Sequence, residues 1–112
     1  QFSLVCMLEL VKEGVTTIEQ VVKKMCHAPA DLFQLDRRGY IRPGYKADLV
    51  IVNPNHEWTV TQDCIFSKCG WSPYEGRTFH SKVEKTFVNG ELVYADGNVN
   101  TCHRGEALRF NR

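Results

Sequence analysis

Lys82-Val83-Glu84-Lys85-Thr86-Phe87-Val88, then Asn89-Gly90, then Glu91-Leu92-Val93-Tyr94, is the stretch that decides how the second half of this chain folds. Asn-Gly between two β-rich runs is the strongest short-range hairpin signal. Both central residues of a type I′ turn need positive φ, which asparagine tolerates and glycine adopts freely. Folding about that turn sets Phe87 opposite Leu92 and places Val83, Phe87, Leu92 and Tyr94 on one face. Asp96-Gly97-Asn98 ends the second strand. Upstream, the β-branched run Leu49-Val50-Ile51-Val52, closed by Asn53-Pro54-Asn55, predicts a buried strand, and Glu57 to Val60 predicts another. Arg42-Pro43-Gly44-Tyr45 reads as a turn, with Pro43 pre-set for its second position and Gly44 for the positive φ of its third. The tail from Cys102 to Arg112 is mixed and polar, with Leu108 and Phe110 its only large apolar residues.

Ahead of Gly39 the pattern is helical. Phe2 to Val11 is apolar almost all round, interrupted by Ser3 and Glu9, so a helix there wants cover on more than one side. Gly14 ends it. Thr16-Thr17-Ile18-Glu19 offers a capping box, with Thr16 as N-cap and Glu19 three residues on. Ile18, Val21, Val22, Met25 and Cys26 then recur at helical spacing, opposite Glu19, Gln20, Lys23 and Lys24. Pro29 is expected to end or kink this helix and to open a short one through Ala30, Leu32, Phe33 and Leu35. The reading is an α+β chain: two to three N-terminal helices over residues 1–38, then antiparallel strands over 39–112.

The chain has 112 residues, 14 Lys plus Arg against 13 Asp plus Glu, and is 43% hydrophobic. A net charge of +1 carries no overall electrostatic signature for nucleic acid or an anionic membrane. No apolar run reaches the roughly 18 residues that a membrane span requires. No basic-then-apolar leader opens the chain, and Gln1 leads straight into structured sequence, so a piece of a longer polypeptide is expected. The odd set Cys6, Cys26, Cys64, Cys69 and Cys102 contains no Cys-x-x-Cys. It reads as free thiols of a reducing cytoplasm rather than a disulfide framework.

Catalytic motifs are absent from the sequence: no phosphate-cradling glycine loop, no Gly-x-Ser-x-Gly, no His-x-His and no His-Glu-x-x-His. A zinc site could draw on Cys64, Cys69, Cys102, His80 and His103, although the spacing fits no familiar zinc module. His27 reads as a helix-end imidazole, and His56, His80 and His103 as loop residues. Asp48 reads as an acceptor for turn amides. Trp58, Trp71, Tyr74 and Phe79 could floor a ligand site, or fill the space where loops cover a sheet.

The order of the pieces adds a resemblance. His27-Ala28-Pro29-Ala30-Asp31-Leu32-Phe33, followed by Gly39-Tyr40-Ile41-Arg42-Pro43-Gly44-Tyr45-Lys46-Ala47-Asp48-Leu49-Val50, resembles the pattern that closes the barrel in the amidohydrolase superfamily. Trp58-Thr59-Val60, Ser67-Lys68, Ser72-Pro73-Tyr74-Glu75-Gly76 and Val83 to Gly90 follow in the order seen at the C-terminal end of the dihydroorotase family and its relatives, allantoinase and dihydropyrimidinase. Ala28 and Trp71 stand where asparagine is common. The resemblance implies that residues 1–38 are the last helices of an incomplete (β/α)₈ barrel, and that 39–112 are part of a flanking β-sandwich. For the whole enzyme it implies zinc-dependent interconversion of N-carbamoyl-aspartate and dihydroorotate in pyrimidine biosynthesis, with metal and substrate held by residues outside this chain. It therefore assigns no catalytic, cofactor-binding or metal-ligating residue to any position from Gln1 to Arg112. It also implies an uncovered helix face and open sheet edges, and so self-association of this piece alone. Two other readings stand beside it: a small interaction module, and the Cys/His zinc domain.

Overall fold

A computed structural model describes all 112 residues. Helix α1, Ser3–Lys12, begins without a side-chain cap and ends at Glu13, followed by Gly14 at φ +77°. Ahead of it the Gln1 side-chain amide clamps a distant loop, donating to the Cys64 carbonyl at 2.7 Å and accepting from the Phe66 amide at 3.1 Å. Helix α2, Ile18–Val22, is capped by Thr17, whose hydroxyl accepts from the Gln20 amide at 3.3 Å. The N-cap is thus Thr17 rather than Thr16, because Thr17 is the residue in extended backbone, and only the hydroxyl half of a capping box is formed.

Pro29 does not stop the helix. The chain widens into a π-helical turn, Lys23–His27, and runs on into α3, Ala28–Leu32. The Ala28 amide bonds the Lys23 carbonyl five residues back. Proline offers no N–H and its ring crowds the carbonyl four residues earlier, and a widened turn just ahead of it relieves both. Gly39, at φ +83°, packs against this segment: a Cβ there would stand 2.7 Å from the Cys26 carbonyl oxygen and would collide with the Ala30 Cβ.

The strands are β1 (Leu49–Asn53), β2 (Trp58–Thr59), β3 (Thr78–Phe79), β4 (Lys82–Val88), β5 (Glu91–Ala95) and β6 (Asn98–Val99). They form an antiparallel sheet in the order β1-β4-β5-β6 and a separate β2-β3 ribbon. The hairpin lies where its turn residues place it, with Asn89 at φ +51°, Gly90 at φ +81°, and Phe87 opposite Leu92. Two register shifts divide the face expected to be shared. One between Thr86 and Phe87 sets Tyr94 opposite Thr86. The other sets Val83 opposite Val52 while Lys85 still faces Ile51. Val83 and Tyr94 therefore leave the face of Phe87 and Leu92, because each extra residue in a bulge turns the side chains beyond it over.

The core is small. Phe2, Val5, Val60 and Phe79 form one buried cluster between α1 and the β2-β3 ribbon, with Phe79 fully enclosed. Of the α2 stripe only Val21 is buried, while Ile18, Val22 and Met25 are exposed. The strand expected to be buried is not: Leu49, Val50 and Ile51 are each more than a third exposed. Strand β1 is an edge of its sheet, and little in this chain covers its faces. The tail is better ordered than its composition suggests. It returns to the end of α3, where Leu35 bridges to Phe110, the Asp36 amide bonds the Arg109 carbonyl at 2.9 Å, and the Asn111 amide bonds Gln34 at 2.8 Å.

Gly39→Ala is expected to destabilise the chain by about 2–3 kcal/mol, combining positive φ with a clash against backbone that cannot swing away. Thermal unfolding followed by circular dichroism would check this, with Gly14→Ala, where the Cβ would meet open space, as the comparison for φ alone.

Candidate functional site

The residues that sequence reasoning offered as zinc ligands do not converge. Cys64 Sγ lies against the Thr61 carbonyl at 3.0 Å, Cys69 Sγ against the Ser67 hydroxyl at 3.4 Å, and the Cys102 amide bonds the Asn100 side chain at 3.0 Å. His103 keeps a buried Nε2 without a partner. His80 is engaged by Glu9 on another element. No group of three His, Cys, Asp or Glu side chains is placed to hold a metal ion, so the Cys/His zinc-domain reading is not supported by the fold. All five cysteines are unpaired. Hydrogen bonding to the Ser67 hydroxyl, then to the Trp71 backbone, holds the exposed Cys69 thiol below its ordinary value.

The aromatic set separates into core and surface. Trp58 and Tyr74 pack against Phe79 with ring centroids 5.6 and 6.1 Å apart, and Phe2 joins them at 5.4 Å from Tyr74. The Trp58 indole donates to the Ser81 carbonyl at 2.8 Å, which satisfies the one polar atom it takes inside. Trp71 stays out, 63% exposed, beside a shallow cleft walled by Gln1, Ser3, Ser67, Ser72 and Tyr74. Three of the four aromatics therefore belong to the core between α1 and the β2-β3 ribbon.

Three polar clusters remain. In the first, Glu9 reaches from α1 into the junction between β3 and β4. It accepts from the His80 amide at 2.5 Å and lies 3.0 Å from His80 Nδ1, while being itself only 8% exposed. Burial pushes the Glu9 carboxyl up, but the His80 amide, the His80 ring and the charges of His80 and Lys12 together outweigh burial and hold it below the ordinary value of 4.5. In the second, His27 stacks on Tyr40 at 4.1 Å with rings nearly parallel, Arg42 lies over the same ring at 4.2 Å, and the Tyr40 hydroxyl donates to Asp31 at 2.8 Å. That hydrogen bond raises the Tyr40 hydroxyl above its usual value. In the third, Asp48 accepts the Asn89 amide at 2.9 Å and pairs with Arg38. Asp48 is thus a turn acceptor, for a turn 41 residues away rather than a local one.

None of these clusters offers a nucleophile beside a base, or two carboxylates facing a cavity. They join elements: α1 to the ribbon, the π turn to the linker, the linker to the hairpin. Sequence reasoning missed the Glu9–His80 pair. Its only local signal was a glutamate set in an apolar helix, which asks for a buried partner without naming it.

The Glu9 pair has a pH signature. A carboxyl depressed in the folded state contributes stability that is present above its unfolded pKa and lost as pH falls through the folded one. Glu9→Gln is expected to cost about 1–2 kcal/mol at pH 7, the worth of hydrogen bonds to a charged group less what the amide retains. The gap to the unsubstituted chain should close as pH falls below 4.5. Urea unfolding of both at pH 7 and at acid pH would check this, and a gap that stays constant would refute the role of the carboxylate.

The Amidohydrolase family model matches residues 2–93. The dihydroorotase of Pyrococcus furiosus is 34% identical over 102 residues, covering 91% of this chain and 24% of that protein. The dihydroorotase of Clostridium acetobutylicum is 40% identical over 87 residues, 78% of this chain and 20% of that protein. An allantoinase of Bacillus velezensis is 38% identical over 97 residues, 87% of this chain and 21% of that protein. Among solved structures, the L-hydantoinase (dihydropyrimidinase) of Arthrobacter aurescens superposes with a TM-score of 0.75 at 29% identity, over 81% of this chain and 20% of that one. A D-hydantoinase shares the fold with a TM-score of 0.76 at 24% identity, over 85% of this chain and 21% of that one. The chain spans about a quarter or less of the length of these relatives. With 92 consecutive residues matched by its model, the chain belongs to the amidohydrolase family.

Proposed function

We propose that these residues are the C-terminal portion of a dihydroorotase, a hydrolase that interconverts dihydroorotate and N-carbamoyl-aspartate in the cytoplasm. The observation that carries this reading is the 34–40% identity to proteins named dihydroorotase over most of the chain. The series Ser67-Lys68 and Ser72-Pro73-Tyr74-Glu75-Gly76 adds to it. The allantoinase and hydantoinase likenesses favour a second reading, another cyclic amide as substrate. In either case the substrate is a small molecule, and the reaction adds water across a ring C–N bond.

Zinc, in this reading, is held by residues outside the chain. Residues 1–38 supply the last helices of the barrel and 39–112 part of a flanking β-sandwich. Exposed Ile18, Val22, Met25, Leu32 and Phe33 support that placement, because an apolar stripe along a helix is built to be covered. The contribution of this chain to the reaction is then to close and brace the barrel.

The full-length protein is expected to hydrolyse dihydroorotate in preference to allantoin, dihydrouracil and hydantoin, to lose activity to a chelator and to regain it with zinc. A preference for another ring would support the second reading, and turnover unaffected by metal removal would overturn both. Residues 1–112 alone are expected to turn over none of these substrates. They should also associate through the exposed helix stripe or the open edge of β1. Light scattering across a concentration series would test this: Val22→Glu should weaken association, and a stable monomer at high concentration would refute it.

A further inference from the structure

Of the six asparagines in the chain only Asn89 is followed by glycine. That pair is chemically labile as well as turn-forming. With no Cβ on Gly90 to shield it, the Gly90 amide nitrogen can attack the Asn89 side-chain carbonyl and expel ammonia. The hairpin holds the two groups apart. Asn89 at φ +51° and Gly90 at φ +81° have the dihedrals of a type I′ turn, in which ψ of the first central residue is about +30°. At that ψ, Cβ and the following nitrogen stand on nearly opposite sides of the Cα–C bond, whereas the attack needs them on one side. Hydrogen bonds clasp the turn in this arrangement against the start of β1. The Gly90 amide donates to the Ala47 carbonyl at 3.0 Å and the Asn89 amide to Asp48 at 2.9 Å. Arg38, paired with Asp48, reaches Asn89 Oδ1 at 3.4 Å. One atom is left out: Asn89 Nδ2 is enclosed and has no hydrogen-bond partner. The nitrogen that would leave as ammonia is the one whose loss costs the fold no hydrogen bond.

We propose that Asn89 is a modification site gated by local opening: it deamidates only in molecules in which β1 has come away from the hairpin tip. Once Ala47 and Asp48 let go, rotation about the Asn89 Cα–C bond brings the Gly90 nitrogen onto Cγ. The Gly90 N–H proton passes to solvent, the Cγ–Nδ2 bond breaks, ammonia leaves and a five-membered imide closes. One water then opens the ring at either carbonyl, giving aspartate or an isoaspartyl link whose main chain runs through the side-chain methylene. The isoaspartyl link adds a backbone atom to a two-residue turn, so the amides of residues 89 and 90 no longer meet both acceptors on β1 and the clasp does not reclose. Because reclosing outpaces this slow chemistry, the rate follows the population of the open form. This inference is independent of the dihydroorotase reading.

Incubation of the full-length protein at mildly alkaline pH, with the tryptic peptide 86–104 sequenced by mass spectrometry and assayed for isoaspartate, tests it. The same peptide free in solution gives the ungated rate. Residue 89 of the intact protein is expected to deamidate at least about tenfold more slowly than in the peptide. Asp48→Ala and Arg38→Gln, which loosen the clasp, should each speed it about tenfold, the worth of a hydrogen bond to a charged group. Val60→Ala, in the buried cluster on the other side of the molecule, should lower overall stability and leave the rate at residue 89 unchanged. Circular dichroism confirms that each variant is folded, and Arg38→Gln decides if Asp48→Ala is not. The proposal is overturned by a native rate equal to that of the peptide, or by clasp variants no faster than the unsubstituted protein. A slower rate in Arg38→Gln would mean that Arg38 activates the carbonyl rather than restrains it. An equal acceleration by Val60→Ala would mean that the reaction needs global unfolding, and either result overturns the proposal as well.

Discussion

The carboxylate of Asp48 is the constraint from which the rest of the β half takes its register. One of its oxygens accepts the Asn89 amide at 2.9 Å and the other pairs with Arg38, whose guanidinium also reaches the Asn89 side-chain oxygen at 3.4 Å. The neighbouring Ala47 carbonyl takes the Gly90 amide at 3.0 Å. The start of β1 is thereby fastened to the tip of the β4–β5 hairpin before any strand pairing begins. With that end fixed, Leu49 must fall opposite Phe87 and Val50 opposite Thr86. Register matters because a slip of one residue would turn every side chain to the other face. Arg38 belongs to the linker after α3, so the same carboxylate connects the helical and stranded halves.

A second fastening, at the far side of the molecule, has a different character. Phe2, Val5, Val60 and Phe79 exclude water, and the Glu9–His80 pair sits beside them at the β3–β4 junction. A buried carboxylate is a poor source of net stability, but removing its partner would leave a charge with nothing to solvate it. The pair is better understood as fixing which turn of α1 meets the ribbon. Apolar contact alone would tolerate rotation of a helix that is apolar almost all round.

What was legible in the sequence follows the range of the forces involved. The hairpin, the Arg42–Tyr45 turn and the end of α1 depend on the φ preferences of one or two residues, and all three stand where those residues put them. The choice of Thr17 over Thr16 as cap depends on backbone dihedrals that neither residue dictates, so a one-residue slip was open. The π turn was hidden because proline announces a disturbance without saying whether the helix will break or widen. The two bulges, the tail's return to Leu35 and the Asp48–Asn89 bond are contacts between distant segments, and single-sequence periodicity carries no term for them. At the candidate clusters the residue types were visible and their partners were not. His80, for one, read as a loop histidine.

The overestimate of burial in β1 and α2 has a different cause. An apolar run states what its surroundings must be, and the sequence cannot say whether those surroundings lie in the same chain. Val21 is buried while its stripe-mates Ile18, Val22 and Met25 are not, and Leu49 to Ile51 remain open on an edge strand. Only nine of 112 residues are buried here, against the 43% that are hydrophobic. Uncovered side chains on a regular helical stripe and a β-branched strand are not scattered surface apolar residues, which are common and need no account. They form continuous faces with the periodicity of an interior. In a family whose relatives are about four times as long as this chain, the placement proposed above makes those faces the ones that the rest of a barrel and sandwich would cover.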